Sequence, residues 1–356
     1  MHRTTGTLFA ALCALAAAAA CAHDTPSSPI PSLSIGNPVN TGSREPYTIA
    51  VIGDMPYGAA KLAELPSLIA LINSDPKVAL VAHLGDIKAG SSSPCTDEYF
   101  ATVESLYAGF KDPFVYTPGD NEWTDCHVAS KNNGLYTPTE RLQAIRALFF
   151  PVAGQTLGGR KKQVLTQADD PANSAYVENT MWMESQVVFA ALNITGSNND
   201  RASWGSPLPA DAANYPSQAD EQASRAQANS AWIEKAFALA AEQDAAGVVL
   251  LFQADMWDPT SALSGFDDLV RQIGRLAAAF GKPVLLLEGD SHVFNVDHPY
   301  SPGSPFYALH ASTPVAENVT RLVVEGSAAG RTEYTRLTID PNRKGDLFTW
   351  ERVPLQ

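Results

Sequence analysis

The sequence predicts an α/β sandwich with right-handed crossovers. Three observations carry the prediction. Short continuous apolar runs have the character of strands covered on both faces, segments of helical apolar spacing lie between them, and most runs end in a Gly-Asp step. The runs are Tyr47–Ile52, 78–84, Phe114–Tyr116, 248–252 and 284–287. Between the first two, residues 59–73 carry Leu62, Leu65, Leu68, Ile69 and Ile72 at helical intervals. Residues 223–243 read as a second helix, with Trp232, Ile233, Ala236, Phe237 and Ala240 along one side.

The stretch 131–229 is less regular and reads as an elaborated insertion within one domain that spans 47–356. It holds a helix at 139–150, strands at 174–183 and 186–192, and a polar loop at 195–222. Residues 320–352 alternate apolar and polar side chains around Asp340-Pro341-Asn342 and Lys344-Gly345-Asp346, a pattern of antiparallel strands joined by turns.

Lys and Arg number 24 against 38 Asp and Glu, for a net charge of -14. The largest basic cluster is Arg160-Lys161-Lys162, so neither nucleic acid nor an anionic lipid surface is an expected partner. Residues 1–21 read as an export signal, with Arg3 ahead of an apolar run from Leu8 to Ala20. The end of that run, Ala18-Ala19-Ala20-Cys21, resembles a bacterial lipoprotein signal with Cys21 as the lipidated residue, although the usual Leu three places earlier is missing. Ala20-Cys21-Ala22 equally fits an ordinary signal-peptidase site, and both readings stay open. Either one places the protein in a bacterial periplasm or anchored at the outer membrane, touching lipid only through that anchor. Residues 22–46, rich in Ser and Pro, read as a tether.

With Cys13 removed and Cys21 lipidated or at the tip, Cys95 and Cys126 remain. In an oxidising compartment such a pair is expected to form a disulfide, the alternative being two unrelated free thiols. Closing that loop is worth roughly 4 kcal/mol in the chain-entropy model.

The 24 Gly and 22 Asp of the chain would meet as Gly-Asp once or twice by chance, yet five such steps occur. Gly53-Asp54, Gly85-Asp86, Gly119-Asp120 and Gly289-Asp290 each follow an expected strand, whereas Gly345-Asp346 sits in the terminal turn. The carboxyl ends of parallel strands share one edge, where ligand sites form. Four carboxylates gathered there repel one another unless a cation neutralises them, which points to a divalent metal site.

The order Gly53-Asp54, Gly85-Asp86, Gly119-Asp120-Asn121-Glu122, Gln253, then Gly289-Asp290-Ser291-His292 resembles the calcineurin-like metallophosphoesterase superfamily. Its motifs are Asp-x-His, Gly-Asp, Gly-Asn-His-Glu/Asp, a lone His and Gly-His-x-His, and the resemblance runs over about 47–352. It implies an α/β sandwich of two mixed sheets flanked by helices, and hydrolysis of phosphate mono- or diesters by metal-activated water.

The departures concern the histidines. Pro56 stands at the His of Asp-x-His, Asp120 at the Asn ligand, Asn121 at the usual catalytic His, Gln253 at the lone His and Asp290 at the first His of Gly-His-x-His; His292 alone is kept. The resemblance therefore implies one metal position of Asp54, Asp86 and His292, and another of Asp86, Asp120, Asp290 and Gln253. A set so rich in oxygen favours Mn, Mg or Ca over Zn, with one ion, two, or none left open. Asn121 cannot give up a proton, which makes His127 a candidate replacement acid, the alternative being a solvated loop histidine. Lys88 is a candidate to bind phosphate or to stand in for a missing metal charge, against the reading of a solvated surface lysine. Tyr57 and Trp123 are candidate pocket walls.

Two other classes compete. Leu285 to Ser291 is similar to the Gly-Asp-Ser turn of GDSL-type esterases, but that turn opens its domain and no Asp-x-x-His follows here. The nearer rival is a non-catalytic metal- or ligand-binding envelope protein on the same fold.

Overall fold

The structure is a computed structural model and describes residues 43–91, 93–128 and 136–356. The export segment, Cys21, most of the tether and the start of the 131–229 stretch lie outside the described residues. The chain builds two sheets. The first opens with β1 (Tyr47–Ile52), helix α1 (Gly58–Ser74), β2 (Val78–His83), helix α2 (Asp97–Tyr107) and β3 (Phe114–Tyr116). β1, β2 and β3 pair in parallel. Helix α3 (Pro138–Phe149) then packs on this sheet.

The second sheet begins with β4 (Leu165–Thr166), β5 (Thr180–Glu184) and β6 (Val187–Ala191). A short helical turn α4 (Gly196–Asp200), the long helix α5 (Gln218–Glu242), β7 (Gly247–Leu251), helix α6 (Asp267–Phe280), β8 (Val284–Glu288), β9 (Asn295–Asp297) and β10 (Val319–Val323) follow. The chain then returns to the first sheet as the hairpin β11 (Glu333–Ile339) and β12 (Phe348–Pro354). The strand orders are β12-β11-β1-β2-β3 and β4-β5-β6-β7-β8-β10-β9.

Strand periodicity explains why the apolar runs are unbroken. In β1, Ile49 and Val51 face the second sheet, where they meet Phe189, Val249, Leu285 and Leu287. Their neighbours Ala50 and Ile52 face Leu65, Leu68 and Ile72 of α1. β7 repeats the arrangement: Val249 and Leu251 point between the sheets, and Val248 and Leu250 point to Trp232 and Ile233 of α5 and Ile273 of α6. Both sheets are thus two-sided, as the expected sandwich requires, and both are mixed.

Three elements differ from the sequence reading. Residues 174–179 are turns, because Asp170 accepts hydrogen bonds from Ala172 N and Asn173 Nδ2, and successive backbone bonds fold 170–179 before β5 begins. β10 does not belong to a terminal antiparallel array: it runs parallel to β8, and only β11 and β12 form the hairpin. The stretch 131–229 supplies β4, β5 and β6 to the seven-stranded sheet, with β6 parallel to β7 near its middle.

Candidate metal centre

Asp54 follows β1, Asp86 follows β2, Asp120 follows β3, Gln253 follows β7, and Asp290 and His292 follow β8. The two sheets therefore bring these side chains to a common edge. Two groups form there: Asp54, Asp86 and His292, and Asp86, Asp120 and Asp290, with the ligand atoms of each group within 4.8 Å of one another. Asp86 belongs to both.

The local backbone is built for this approach. Asp54, Asp86, Asp290 and His292 have φ of 52°, 59°, 69° and 64°, a left-handed conformation that costs a non-glycine residue about 1–2 kcal/mol. Strain of this kind is kept where the surroundings over-determine it, and here they do. Asp290 N donates to both Asp54 oxygens at 3.0 Å, Asp54 N donates to Gly85 O at 3.0 Å, and Ser327 N donates to Asp54 O at 2.9 Å. Gly119 leaves room for Asp86, since a Cβ on it would lie 2.1 Å from Asp86 Oδ1.

Asp86 is held from several directions. Its N–H donates to Glu122 Oε1 at 3.2 Å, while Asn121 N donates to its Oδ1 at 3.1 Å. Its Oδ2 accepts from the Tyr57 hydroxyl at 2.8 Å and Asn121 Nδ2 at 2.5 Å. Glu122 also accepts from Gly119 N at 2.6 Å and the Tyr116 hydroxyl at 2.7 Å, so one carboxylate pins the loops after β2 and β3. Asp120 accepts from Ser197 Oγ at 2.8 Å, and Asp290 accepts from Asp255 N at 3.3 Å. Gln253 spends its amide as a brace, its Oε1 accepting from Gly196 N at 2.6 Å and its Nε2 lying 3.4 Å from Asp120 Oδ1. His292 Nε2 lies 3.2 Å from the Tyr57 hydroxyl and 3.7 Å from Asp54 Oδ1.

Burial pushes the carboxyls of Asp54, Asp86 and Asp290 well above the usual carboxylate range, and the charges of their neighbours push them further. Burial, followed by the charge of Asp125, takes Asp120 up to about 7. Burial lowers His292, which keeps its imidazole neutral. Three buried carboxylates, the half-buried Asp290 and a neutral imidazole suit a hard divalent cation, because a cation removes the repulsion that otherwise forces protons onto them. By its donor chemistry, the cluster fits the group that the resemblance implies.

Lys88 is not a solvated surface lysine. It is fully buried, and its Nζ donates to Ala89 O at 2.8 Å and Asn121 O at 2.9 Å. Burial takes it down to about 8. His127 ends the short turn Thr124–His127 and has Nδ1 2.6 Å from Thr124 O, within its own loop. Trp123 is buried in the interior, 5.4 Å from the Arg225 guanidinium, and is not a pocket wall. Tyr57 reaches the carboxylates themselves. Cys95 and Cys126 are joined in a disulfide that ties the loops after β2 and β3.

Two contributors escaped the sequence reading. The α4 turn places Ser197 against Asp120 through four consecutive left-handed residues, Ser197 to Asp200, with φ from 50° to 61°. Its Gly196-Ser197-Asn198-Asn199-Asp200 composition, residues tolerant of that conformation, was the available signal. The other is Arg321 on β10, buried among Asp255, Glu288 and Asp297 behind the Asp290 loop.

Residues 47–199 match the family model described as calcineurin-like phosphoesterase. No curated protein matches the chain. Solved structures that it resembles include GAP50, the anchor in the inner membrane complex of Plasmodium, at 12% identity and a TM-score of 0.44, covering 87% of this chain and 89% of that one. Over residues 47–199 the chain thus matches the calcineurin-like phosphoesterase family, and its two mixed sheets between helices are consistent with the fold of that family.

Proposed function

We propose that the protein is a metal-dependent hydrolase of phosphate mono- or diesters, exported to the bacterial envelope. The observation that carries this reading is the convergence of Asp54, Asp86, Asp120, Asp290 and His292 at one edge of both sheets. These residues would hold a divalent cation, with Mn, Mg or Ca better suited than Zn to so many oxygens. Such a cation, when bound, polarises a phosphoryl oxygen and makes water a better nucleophile. The chain's own residues orient and insulate: Glu122 fixes the Asp86 backbone, Ser197 and Gln253 aim Asp120, and Lys88 holds the Asn121 carbonyl. Asn121 donates to Asp86 and, as an amide, has no proton to give to a leaving group. The disulfide and the export signal expected from residues 1–21 support an envelope location, and no helix among the described residues is long and apolar enough to cross a membrane.

The test is turnover of a panel of phosphomonoesters and phosphodiesters by the purified chain with Mn, Mg or Ca. Activity that needs the cation is expected. Asp86→Ala should reduce it by more than the roughly 10–100-fold that losing an outer-shell partner costs. One observation favours a second reading, a non-catalytic metal- or ligand-binding protein: an amide stands where the resemblance places the catalytic His. Tight metal binding without turnover on that panel would select it.

A further inference from the structure

The two halves of the carboxylate cluster differ in how their ligand atoms are already engaged. Around the first position, the Tyr57 hydroxyl lies 2.8 Å from Asp86 Oδ2, 3.4 Å from Asp54 Oδ1 and 3.2 Å from His292 Nε2, which is one contact with each of the three groups. The same hydroxyl accepts from Asn121 Nδ2 at 3.0 Å. Its single proton goes to a carboxylate and its oxygen accepts from the Asn121 amide, so a phenol in this place is satisfied as a neutral group. Asp54 is further compensated by the Asp290 N–H on both its oxygens. The Tyr57 ring stands edge-on to the His292 ring, with 5.3 Å between centroids, which fixes where the hydroxyl points.

The second position is different. Apart from the shared Asp86, Asp120 accepts from Ser197 and Gln253, and Asp290 accepts from Asp255 N, and none of these donors bridges two carboxylates of the group as the Tyr57 hydroxyl does at the first position. Asp86, Asp120 and Asp290 stand within 4.8 Å of one another. Three carboxylate oxygens at that separation can enter the oxygen shell of one hard cation.

From this asymmetry we infer that the Tyr57 phenol fills the first cation position, and that the chain takes a single divalent cation at Asp86, Asp120 and Asp290. The inference rests on the proposed metal-dependent function and narrows it to a mononuclear site. Pro56, at the place where the resemblance puts an imidazole, is the sequence counterpart of the same loss, and Tyr57 is the next residue.

The experiment counts Mn bound per chain after stripping, reloading and gel filtration, in the full chain and in Tyr57→Phe and Tyr57→Ala, with tyrosinate difference absorption recorded during loading. Cooperative thermal melting is checked for each variant, and Tyr57→Phe, which removes only the hydroxyl, decides the matter if the Ala variant does not fold. One ion in the full chain, two in the variants and no tyrosinate band is the expected result. Two ions in the full chain overturn the inference and leave the hydrolase reading intact. A tyrosinate band, or variants holding fewer ions than the full chain, makes Tyr57 a ligand and overturns it. Variants that still hold one ion overturn it as well. No ion in the full chain overturns the single-cation inference and, with it, the hydrolase reading, whatever the variants hold.

Discussion

Glu122 shows how much one buried residue carries. Its Oε1 accepts from two backbone N–H groups and a tyrosine hydroxyl, all at the turn that presents Asp86 and Asp120. Glu122→Ala strands these donors in a dry interior, and each such loss costs about 1–3 kcal/mol. A lowered urea midpoint together with weakened cation binding is expected, whereas Glu122→Gln, which keeps an acceptor oxygen, should retain much of both. The Asp120 carboxyl gives a pH prediction. Its folded value near 7 lies above the ordinary 3.8, so without cation the folded chain holds a proton that the unfolded chain has lost. Stability in chelator should therefore fall as pH rises from about 4 to about 7, in the same direction as the other raised carboxyls of the cluster drive it. Added Mn should offset that loss at the upper end, and melting curves across this range check both signs.

At the scale of elements, the strands that carry aspartates were legible because two-sided burial writes itself as an unbroken apolar run. The Gly-Asp steps marked their carboxyl ends, and Asp54, Asp86, Asp120, Asp290 and His292 lie together at that edge, while Gln253, expected in the second group, has its amide engaged with Gly196 and Asp120. Lys88 was not legible, since nothing in its local sequence records that Ala89 and Asn121 carbonyls close over it. Nor was the pairing of β10 with β8, which depends on partners 35 residues apart at Val319 and Val284. Helices α2 and α6 were overlooked although Phe100, Val103 and Tyr107, and Leu269, Ile273 and Ala277, recur at helical spacing. β10 also carries Arg321, whose guanidinium meets Asp297 at 2.5 Å and Glu288 at 3.6 Å, and pairs with Asp255. Arg321→Met leaves three acidic groups without their cation, and a loss of about 3–5 kcal/mol in chemical denaturation is expected.

Across the whole molecule, the disulfide is the covalent tie between two loops of the first sheet, closing a span of 31 residues. Replacing both Cys95 and Cys126 by Ser should lower stability by about 2–4 kcal/mol in urea, chiefly by freeing the unfolded chain. The ligand set, in contrast, bridges the two sheets: Asp54, Asp86 and Asp120 hang from the first, Asp290 and His292 from the second. A bound cation is thus a rivet between halves of the sandwich as well as a reagent. Saturating it at about 100 times its dissociation constant contributes roughly 2.7 kcal/mol to the folded state. How long the protein lasts among proteases is thereby coupled to the free divalent ion around it, and starvation for that ion would thin the population before it slowed any single molecule.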